Sequence, residues 1–352
     1  MKLKKSTVNG IIAYGIVILA FIICQTMISS GSMTRSLRGQ MVPICVYIVM
    51  AISLNLVVGI SGELSLGHAG FMSVGAFSGI IASAWLQGAL HVENEILRLV
   101  LSMIVGGVFA GIAGVLIGIP VLRLRGDYLA IVTLAFGEII RNVLNCLYFS
   151  LDGSRLHVSF NNPNIPGTIL VNGPAGATGV QKIATFPLGF ILILFTLFVV
   201  LNLINSRSGR AIMATRDNRI AAEAMGINIT KYKMMAFVTA SVLAGMAGAL
   251  YGLNFSTVAA SKFKFDTSIL VLVFVVLGGI GNIWGSIIAA ALLTVLPELL
   301  RAFSDYRMLV YAIVLILVML ATNNPIIRSL VERLIRPRGR KAPAATRKGG
   351  AA

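Results

Sequence analysis

Charged residues are scarce in this chain of 352 residues: Asp, Glu, Lys and Arg together make up 12% of it, whereas hydrophobic residues make up 57%. A water-soluble domain carries roughly twice that share of charge. With a mean hydropathy of +0.91, the composition excludes a soluble globular protein and predicts an integral membrane protein. Long unbroken apolar runs and 36 glycines favour closely packed helices over the alternating strands of a barrel.

Cysteine is rare as well. The three cysteines, Cys24, Cys45 and Cys146, fall in predicted membrane segments and lack the paired spacing of a disulfide or metal site. The sequence also lacks a Gly-x-x-x-x-Gly-Lys-Ser/Thr loop for nucleotide phosphates and an evident set of catalytic partners. We therefore expect no metal, no cofactor and no enzymatic activity of its own in this chain.

Acidic residues are few, since 12 Asp and Glu stand against 29 Lys and Arg, for a net charge of +17. Such an excess can indicate a nucleic-acid partner, but no basic patch with interleaved aromatic residues accompanies it. We interpret the charge as a signal for membrane orientation and predict no nucleic-acid partner.

Apolar runs of roughly 20 residues, the length that crosses a bilayer core, predict ten membrane spans. The run at 8–29 is too long for a signal peptide and lacks a convincing cleavage site, so we predict a retained span. The run at 268–300 is divided because Gly278-Gly279-Ile280-Gly281-Asn282 is typical of a tight turn. The ten predicted spans are 8–29, 41–59, 66–86, 97–119, 127–149, 186–204, 234–254, 268–281, 284–300 and 307–323.

The Lys and Arg residues set the orientation of these spans. With the N-terminus inside, 19 of the 29 fall in cytosolic segments and 9 in external segments, and Arg141 lies within a span. This excess agrees with the positive-inside rule. A single helix over 268–300 would put the arginine-rich tail outside, so we predict that both termini are cytosolic.

Composition divides the chain into three segments. Residues 1–40 hold the first span and an external loop, residues 41–323 hold the other spans, and residues 324–352 form a basic cytosolic tail with a disordered end. Within the second segment, the basic loop 206–233 faces the cytosol. The external stretch 151–185 is either a solvated connector or a surface that receives a ligand or a delivery protein.

A set of motifs occurs in a fixed order along residues 41–323, and together they carry a family resemblance. They are SLNLVVGISGELSLGHAGF at 53–71, RLRGDYLAIVTLAFGE at 123–138, SGRA at 208–211, RDN at 216–218, AAEAMG at 221–226, AGMAGAL at 244–250 and GGIGNIWG at 278–285. In this combination the chain resembles the LivM-type permease subunits of branched-chain amino acid ABC importers.

The resemblance implies an ABC importer permease fold, all-α and polytopic, in the bacterial plasma (inner) membrane. It implies four kinds of partner: cytosolic ATP-binding subunits, a second permease subunit of LivH type, an extracytoplasmic substrate-binding protein and the lipid bilayer. Spans two to five and spans seven to ten would form two four-helix groups of opposite orientation, which suits an inverted repeat. The implied function is ATP-driven uptake of branched-chain, hydrophobic amino acids.

The block at residues 221–226 is a short helix former that ends in a glycine, and basic residues precede it. A cytosolic helix between two spans can fit a groove on an ATPase and convert nucleotide-driven closure into helix movement. We predict Arg216, Glu223, Ala224 and Gly226 as coupling residues. A basic loop that serves only membrane orientation is the alternative.

Four residues are candidates for the translocation pathway. Glu138 and Arg141 are three positions apart on one helix face, so they can pair; the pair either locks the span into the bundle or contacts a zwitterionic cargo. Ser65 and His68 lie in a Gly-rich stretch typical of a broken helix, and such breaks often face substrate in transporters. A single histidine is not a metal site, so hydrogen bonding that holds the break is the favoured role of His68.

Two other classes of function stay open at this point. An ion-coupled secondary transporter would use Glu138 to carry protons and would need no ATPase. A channel or scaffold would need a pore ring or an assembly interface, and the sequence shows neither clearly. Within the importer interpretation, urea, amides or another small solute are the alternative cargoes.

Overall fold

The structure is a computed structural model that describes residues 34–300, except 125, 154 and 162–165, and also residues 15, 17, 20–28, 30, 306, 309, 310, 312, 313 and 316. Residues 20–28 of the first predicted span are helical. Most of the predicted span 307–323 and all of the tail 324–352 lie outside the described residues. The described residues up to Leu299 belong to one compact unit.

Helices dominate the described residues. They are α1 Arg35–Asn55, α2 His68–Leu90, α3 Glu95–Val121, α4 Asp127–Asn145, α5 Phe186–Asn205, α6 Arg207–Asp217, α7 Arg219–Ala224, α8 Ile229–Gly252, α9 Phe265–Gly278 and α10 Ile283–Leu299. Six of them (α1 with its continuation to Ile60, α2, α3, α4, α5 and α8) are long and apolar enough to cross a membrane, and α9 and α10 are shorter apolar helices. The predicted multi-pass helical architecture is confirmed, whereas the count of ten spans and the inverted repeat stay predictions.

Glycines bring α2, α3 and α8 into close contact at the centre of the bundle. A Cβ atom on Gly106 would lie 2.8 Å from the carbonyl oxygen of Gly75, and one on Gly245 would lie 2.6 Å from the carbonyl oxygen of Gly106. Only a residue without a side chain allows the backbones of membrane helices to approach so closely. The contact of these three helices fixes the core against which the other helices pack.

Two breaks interrupt the apolar helices. The chain leaves α1 through a turn of π-helix, Leu56–Ile60, and then follows an irregular path to the start of α2. The second break separates α9 from α10, where Gly279 and Gly281 take positive φ values of 92° and 83°. Glycine adopts this conformation at no steric cost, and the predicted division of the run 268–300 is confirmed.

A small sheet that was not predicted from the sequence is formed by four strands between α4 and α5 and a fifth strand after α8. Five short antiparallel strands are arranged in the order β2-β1-β3-β4-β5. The predicted span 127–149 therefore extends too far, since α4 ends at Asn145 and Leu147 already begins a strand. The predicted external stretch 151–185 contains much of this sheet. The strands are β1 Leu147–Asp152, β2 Arg155–Phe160, β3 Thr168–Asn172, β4 Ala177–Thr178 and β5 Thr257–Val258.

Candidate coupling and translocation site

The loop between α5 and α8 folds into the two short helices α6 and α7. The Asn218 side chain begins α7 by accepting a hydrogen bond of 3.0 Å from the backbone N–H of Ala221, a common N-cap arrangement. The helix ends at Ala224, and Gly226 then turns the chain with a φ of 77° and donates its N–H to the carbonyl oxygen of Glu223 at 2.9 Å. The short helix predicted at 221–226 is therefore present, and it begins two residues earlier, at Arg219.

Most of α7 faces away from the bundle. Glu223, Ala224 and Gly226 are exposed, while Ala222 is buried against the rest of the chain. Ile220 and Met225 are also on this surface, and each is 81% exposed. Two large apolar side chains that project from one short helix indicate a contact surface. Neither residue was predicted as a contact from the sequence, although an apolar residue at each end of a polar loop helix is a usable signal.

Arg216 differs from the other predicted coupling residues because it contacts the membrane bundle. Its Nη1 donates a 2.6 Å hydrogen bond to the carbonyl oxygen of Gly59, in the π-turn after α1. Its Nε and Nη2 donate to Asp217. A Cβ on Gly62 would lie 2.5 Å from Cγ of Arg216. Arg216 thus joins the end of α6 to the first helix break.

A second contact joins the other end of the same loop to this break. Lys233, in the first turns of α8, forms an ion pair with Glu63, and their side chains are only 11% and 12% exposed. Breaking a pair of this kind leaves one charge buried without compensation. From the sequence alone, Lys233 is expected only to contribute to membrane orientation. No local pattern indicates a partner 170 positions away.

His68 holds the start of α2 in place. Its Nε2 lies 2.8 Å from Oγ of Ser53 on α1, and the residue is 1% exposed. The backbone around it is bonded to two more helices, because the N–H of Leu66 donates to Thr133 on α4 and the N–H of Ala69 donates to Ser268 on α9. The start of α2 and the residues just before it are therefore attached to three helices, α1, α4 and α9.

Ser65 lies in the segment between α1 and α2 and is 1% exposed. Its hydroxyl oxygen has no hydrogen-bond partner among the described residues. A buried hydroxyl group usually has one, so Ser65 marks a place where the local hydrogen bonding is incomplete in this conformation.

The two helix breaks touch each other. Asn55, the last residue of α1, accepts a 2.9 Å hydrogen bond from the N–H of Gly281 and donates one of 2.9 Å to Oγ of Ser286. A Cβ on Gly59 would lie 2.7 Å from Cα of Gly281. Through Arg216 and Asn55, the loop that carries α7 is thus linked to both breaks.

The surface of α4 is unusual for a membrane helix. Only 22% of the span Tyr128–Asn145 is buried within this chain, the smallest share among the six described spans. Arg141 donates a 2.7 Å hydrogen bond to Glu138, as the spacing predicts, and the two side chains are 20% and 33% exposed. Tyr128, Ile131 and Ile139 form the exposed stripe beside them. Charged side chains on a membrane helix usually face the interior of a bundle or a water-filled cavity, which makes this face of α4 a candidate for contact with another subunit or with cargo.

The described residues define a multi-pass helical membrane protein in which an exposed loop helix is connected to two broken helices. Residues 37–319 match the family described as branched-chain amino acid transport system / permease component. The chain belongs to this family.

Relatives of known identity agree with this assignment. The chain is 33% identical over 309 residues to the high-affinity branched-chain amino acid transport system permease protein LivM of Salmonella typhimurium, a match that covers 78% of this chain and 66% of the relative. It is 31% identical over 194 residues to LivH of the same organism, covering 53% and 61%. It is 23% identical over 210 residues to the nucleoside ABC transporter permease protein NupC of Lactococcus lactis, covering 54% and 61%. No solved structure matches the chain.

Proposed function

We propose that the chain is a membrane-spanning permease subunit of an ATP-driven importer for branched-chain amino acids. The observation that carries the proposal is the exposed helix α7, which Arg216 joins to the helix break after α1. Membership of the branched-chain permease family and the likeness to LivM support the cargo class. ATP would be hydrolysed by cytosolic partner subunits.

In this proposal α7 docks in a groove of an ATP-binding subunit. Ile220 and Met225 enter the groove, and Glu223, Ala224 and Gly226 lie at its edge. Movement of α7 passes through Arg216 to Gly59 and through Lys233 to Glu63. The breaks then change angle, because irregular backbone between rigid helices absorbs such a rotation more easily than the helices do.

The proposed pathway runs along the exposed face of α4. A single charge at the bilayer centre costs about 2.5–3.5 kcal/mol by insertion measurements, so a face that carries Glu138 and Arg141 is better placed against protein or a polar pathway than against lipid. A second permease subunit of LivH type would supply the opposite wall. Ser65 and His68 belong to the break between α1 and α2, where His68 keeps a positioning role.

The wider arrangement belongs to the same proposal. The N-terminal segment, residues 1–40, and the permease core, residues 41–323, contribute ten spans with an inverted repeat, the tail 324–352 is cytosolic, and both termini face the cytosol of a bacterial plasma membrane. An extracytoplasmic binding protein delivers the amino acid on the other side. The positive-inside distribution of Lys and Arg supports this orientation.

Purification from the native membrane tests this function. We expect the chain, isolated in mild detergent, to retain a second permease and two ATP-binding chains, identified by mass spectrometry. After reconstitution in liposomes, the complex should take up radiolabelled leucine when the binding protein and ATP are supplied. A lone polypeptide that transports under a proton gradient without ATP would instead establish a secondary transporter.

Replacing Glu138 with glutamine distinguishes a pathway role from a packing role. If the carboxylate contacts the ammonium group of the cargo, leucine uptake per complex should fall about tenfold, the usual effect of losing one charged hydrogen bond, while the complex stays intact. The measurement is initial uptake normalised to the amount of complex. Reduced melting temperature in detergent with normal uptake per molecule would show that the pair with Arg141 is structural.

A further inference from the structure

A pair of adjoining cavities lies at the end of the bundle away from α7. Helix α2 starts beside the break that contacts Arg216 and runs for 23 residues, a length of about 34 Å at 1.5 Å per residue. Its far end carries Gln87, and His91 follows it in a left-handed conformation with a φ of 48°. Both side chains line the cavities. A site here is reached from the side opposite the proposed ATPase contact.

The first cavity, of about 450 Å³, is lined by a buried arginine. Arg98 is only 3% exposed. Its Nη2 donates a 2.7 Å hydrogen bond to Oε1 of Gln181, but its Nε has no hydrogen-bond partner among the described residues. A guanidinium group keeps its charge when buried, and a buried donor without an acceptor destabilises the protein. An anion with two oxygens satisfies such a group best.

The same cavity carries the opposite charge at its exposed edge. Glu93 and Glu95 both line it and are both exposed. No ion pair within 4.0 Å joins either of them to Arg98 among the described residues. A cavity with one buried cation and two carboxylates at its edge is complementary to a zwitterion, with the carboxylate inside and the ammonium group toward the opening.

The second cavity, of about 420 Å³, shares Gln87, His91 and Gln181 with the first. Its remaining walls include five apolar side chains from helices, strands and loops: Ile80, Leu151, Leu170, Val180 and Leu253. Small-molecule sites commonly combine such apolar walls with a few polar groups that fix orientation. An apolar side chain attached to a zwitterionic head group fits this pair of cavities.

We propose that the two cavities form a binding subsite for an α-amino acid with an apolar side chain. The carboxylate pairs with Arg98, the ammonium group faces Glu93 and Glu95, and the side chain enters the second cavity. This inference rests on the proposed function for its cargo class, and it assigns to this chain a first contact with cargo before the amino acid enters the proposed pathway along α4.

Leucine binding to the full-length chain in lipid nanodiscs tests the subsite. We expect Arg98→Gln to weaken binding of radiolabelled L-leucine about tenfold or more, the effect of losing a charge-assisted hydrogen bond, and Arg98→Lys to weaken it less. The matched control is Arg155→Gln, because Arg155 is exposed on β2 and lines neither cavity. Elution volume and tryptophan fluorescence report whether each variant is folded.

Competition on the unaltered chain keeps the test valid if Arg98→Gln does not fold. L-Leucinamide lacks the carboxylate, 4-methylpentanoate lacks the ammonium group and glycine lacks the apolar side chain, so each should compete at least about tenfold less well than L-leucine. Equal competition by leucinamide, or unchanged leucine binding by Arg98→Gln, would overturn the subsite. If Arg98→Gln binds leucine normally but captures less of the extracytoplasmic binding protein, Arg98 pairs with a carboxylate of that binding protein instead.

Failure of the subsite and failure of the proposed function give different results. If the assembled transporter imports leucine, and Arg98→Gln binds and imports leucine as well as the unaltered protein does, the subsite is wrong and the function stands. If no variant of the assembled transporter imports leucine, yet the isolated chain binds leucine through Arg98, the function is wrong and the subsite stands.

Discussion

Replacing Met225 with aspartate is expected to release the ATP-binding subunits from the purified complex. The side chain is 81% exposed at the end of α7, where it can enter an apolar groove of a partner. A carboxylate there would be buried without a partner, and central contacts of an interface contribute 2 kcal/mol or more, about a 30-fold change in affinity. The measurement is the ratio of ATPase to permease in the eluate, and Ile220→Asp should behave in the same way.

Val158→Asp is the matched control for this change. Val158 is 53% exposed on β2, and β2 lies on the external side in the predicted orientation. The same substitution there should leave the amount of captured ATPase unchanged. If Met225→Asp and Ile220→Asp both retain ATPase at the unaltered ratio, α7 is not the docking element. The loop would then serve membrane orientation alone.

Two further changes, one in α7 and one just after it, distinguish the charge of the docking surface from the conformation of the chain at the end of the helix. Glu223→Arg removes the surface ion pair with Arg219, which spans 4.0 Å and contributes little by itself, but it also reverses the charge at the edge of the proposed docking groove. Gly226→Asp forces a residue with a side chain into a φ of 77°, which strains the exit from the helix. We expect both variants to insert into the membrane and to transport less leucine per ATP hydrolysed.

Local signals explain why some of this architecture follows from the sequence. The helix α7 could be predicted because Asn218, the alanines and Gly226 supply a start, a helix body and a stop within nine residues. The Glu138 and Arg141 pair could be predicted because a spacing of three places both on one helix face. The break between α9 and α10 could be predicted because its glycines are adjacent in the chain.

The remaining features depend on contacts between distant segments. Arg216 meets Gly59 across 157 positions and Asn55 meets Ser286 across 231, and no periodicity indicates such pairs. The predicted span 127–149 includes the first three residues of β1 because Leu147 and Phe149 continue an apolar run. Their alternation of period two becomes informative only when β2 and β3 pair beside them.

The link from α7 to the membrane helices also explains how docking and transport can fail separately. Arg216 is the second-to-last residue of α6, close to α7 in the chain, yet its guanidinium group bonds to the π-turn that follows α1 rather than to the exposed surface of α7. A change at this position leaves the proposed docking surface intact. It should therefore affect the transmission of movement and not the attachment of the ATPase.

Arg216→Gln is accordingly expected to keep both ATP-binding subunits and their ATP hydrolysis while leucine uptake falls about tenfold or more. The lost bond to the carbonyl oxygen of Gly59 is charge-assisted, a class that contributes about 1.5–3 kcal/mol, and 1.4 kcal/mol corresponds to a factor of ten. Arg216→Lys keeps the charge without the planar fork and should give an intermediate result. The readout is leucine transported per ATP hydrolysed in liposomes, with the recovery of intact complex measured beside it.

Arg219→Gln is the control, since the ion pair of Arg219 with Glu223 stays within α7 and its loss should change transport per ATP by less than about twofold. If Arg216→Gln transports as much leucine per ATP hydrolysed as the unaltered protein, the link through Gly59 is disproved. The ion pair between Lys233 and Glu63 would then transmit the movement. Loss of the ATPase subunits from Arg216→Gln would instead assign Arg216 to the docking surface. A lower ratio with an intact complex would show that the helix break after α1 is where ATP-driven movement enters the membrane helices.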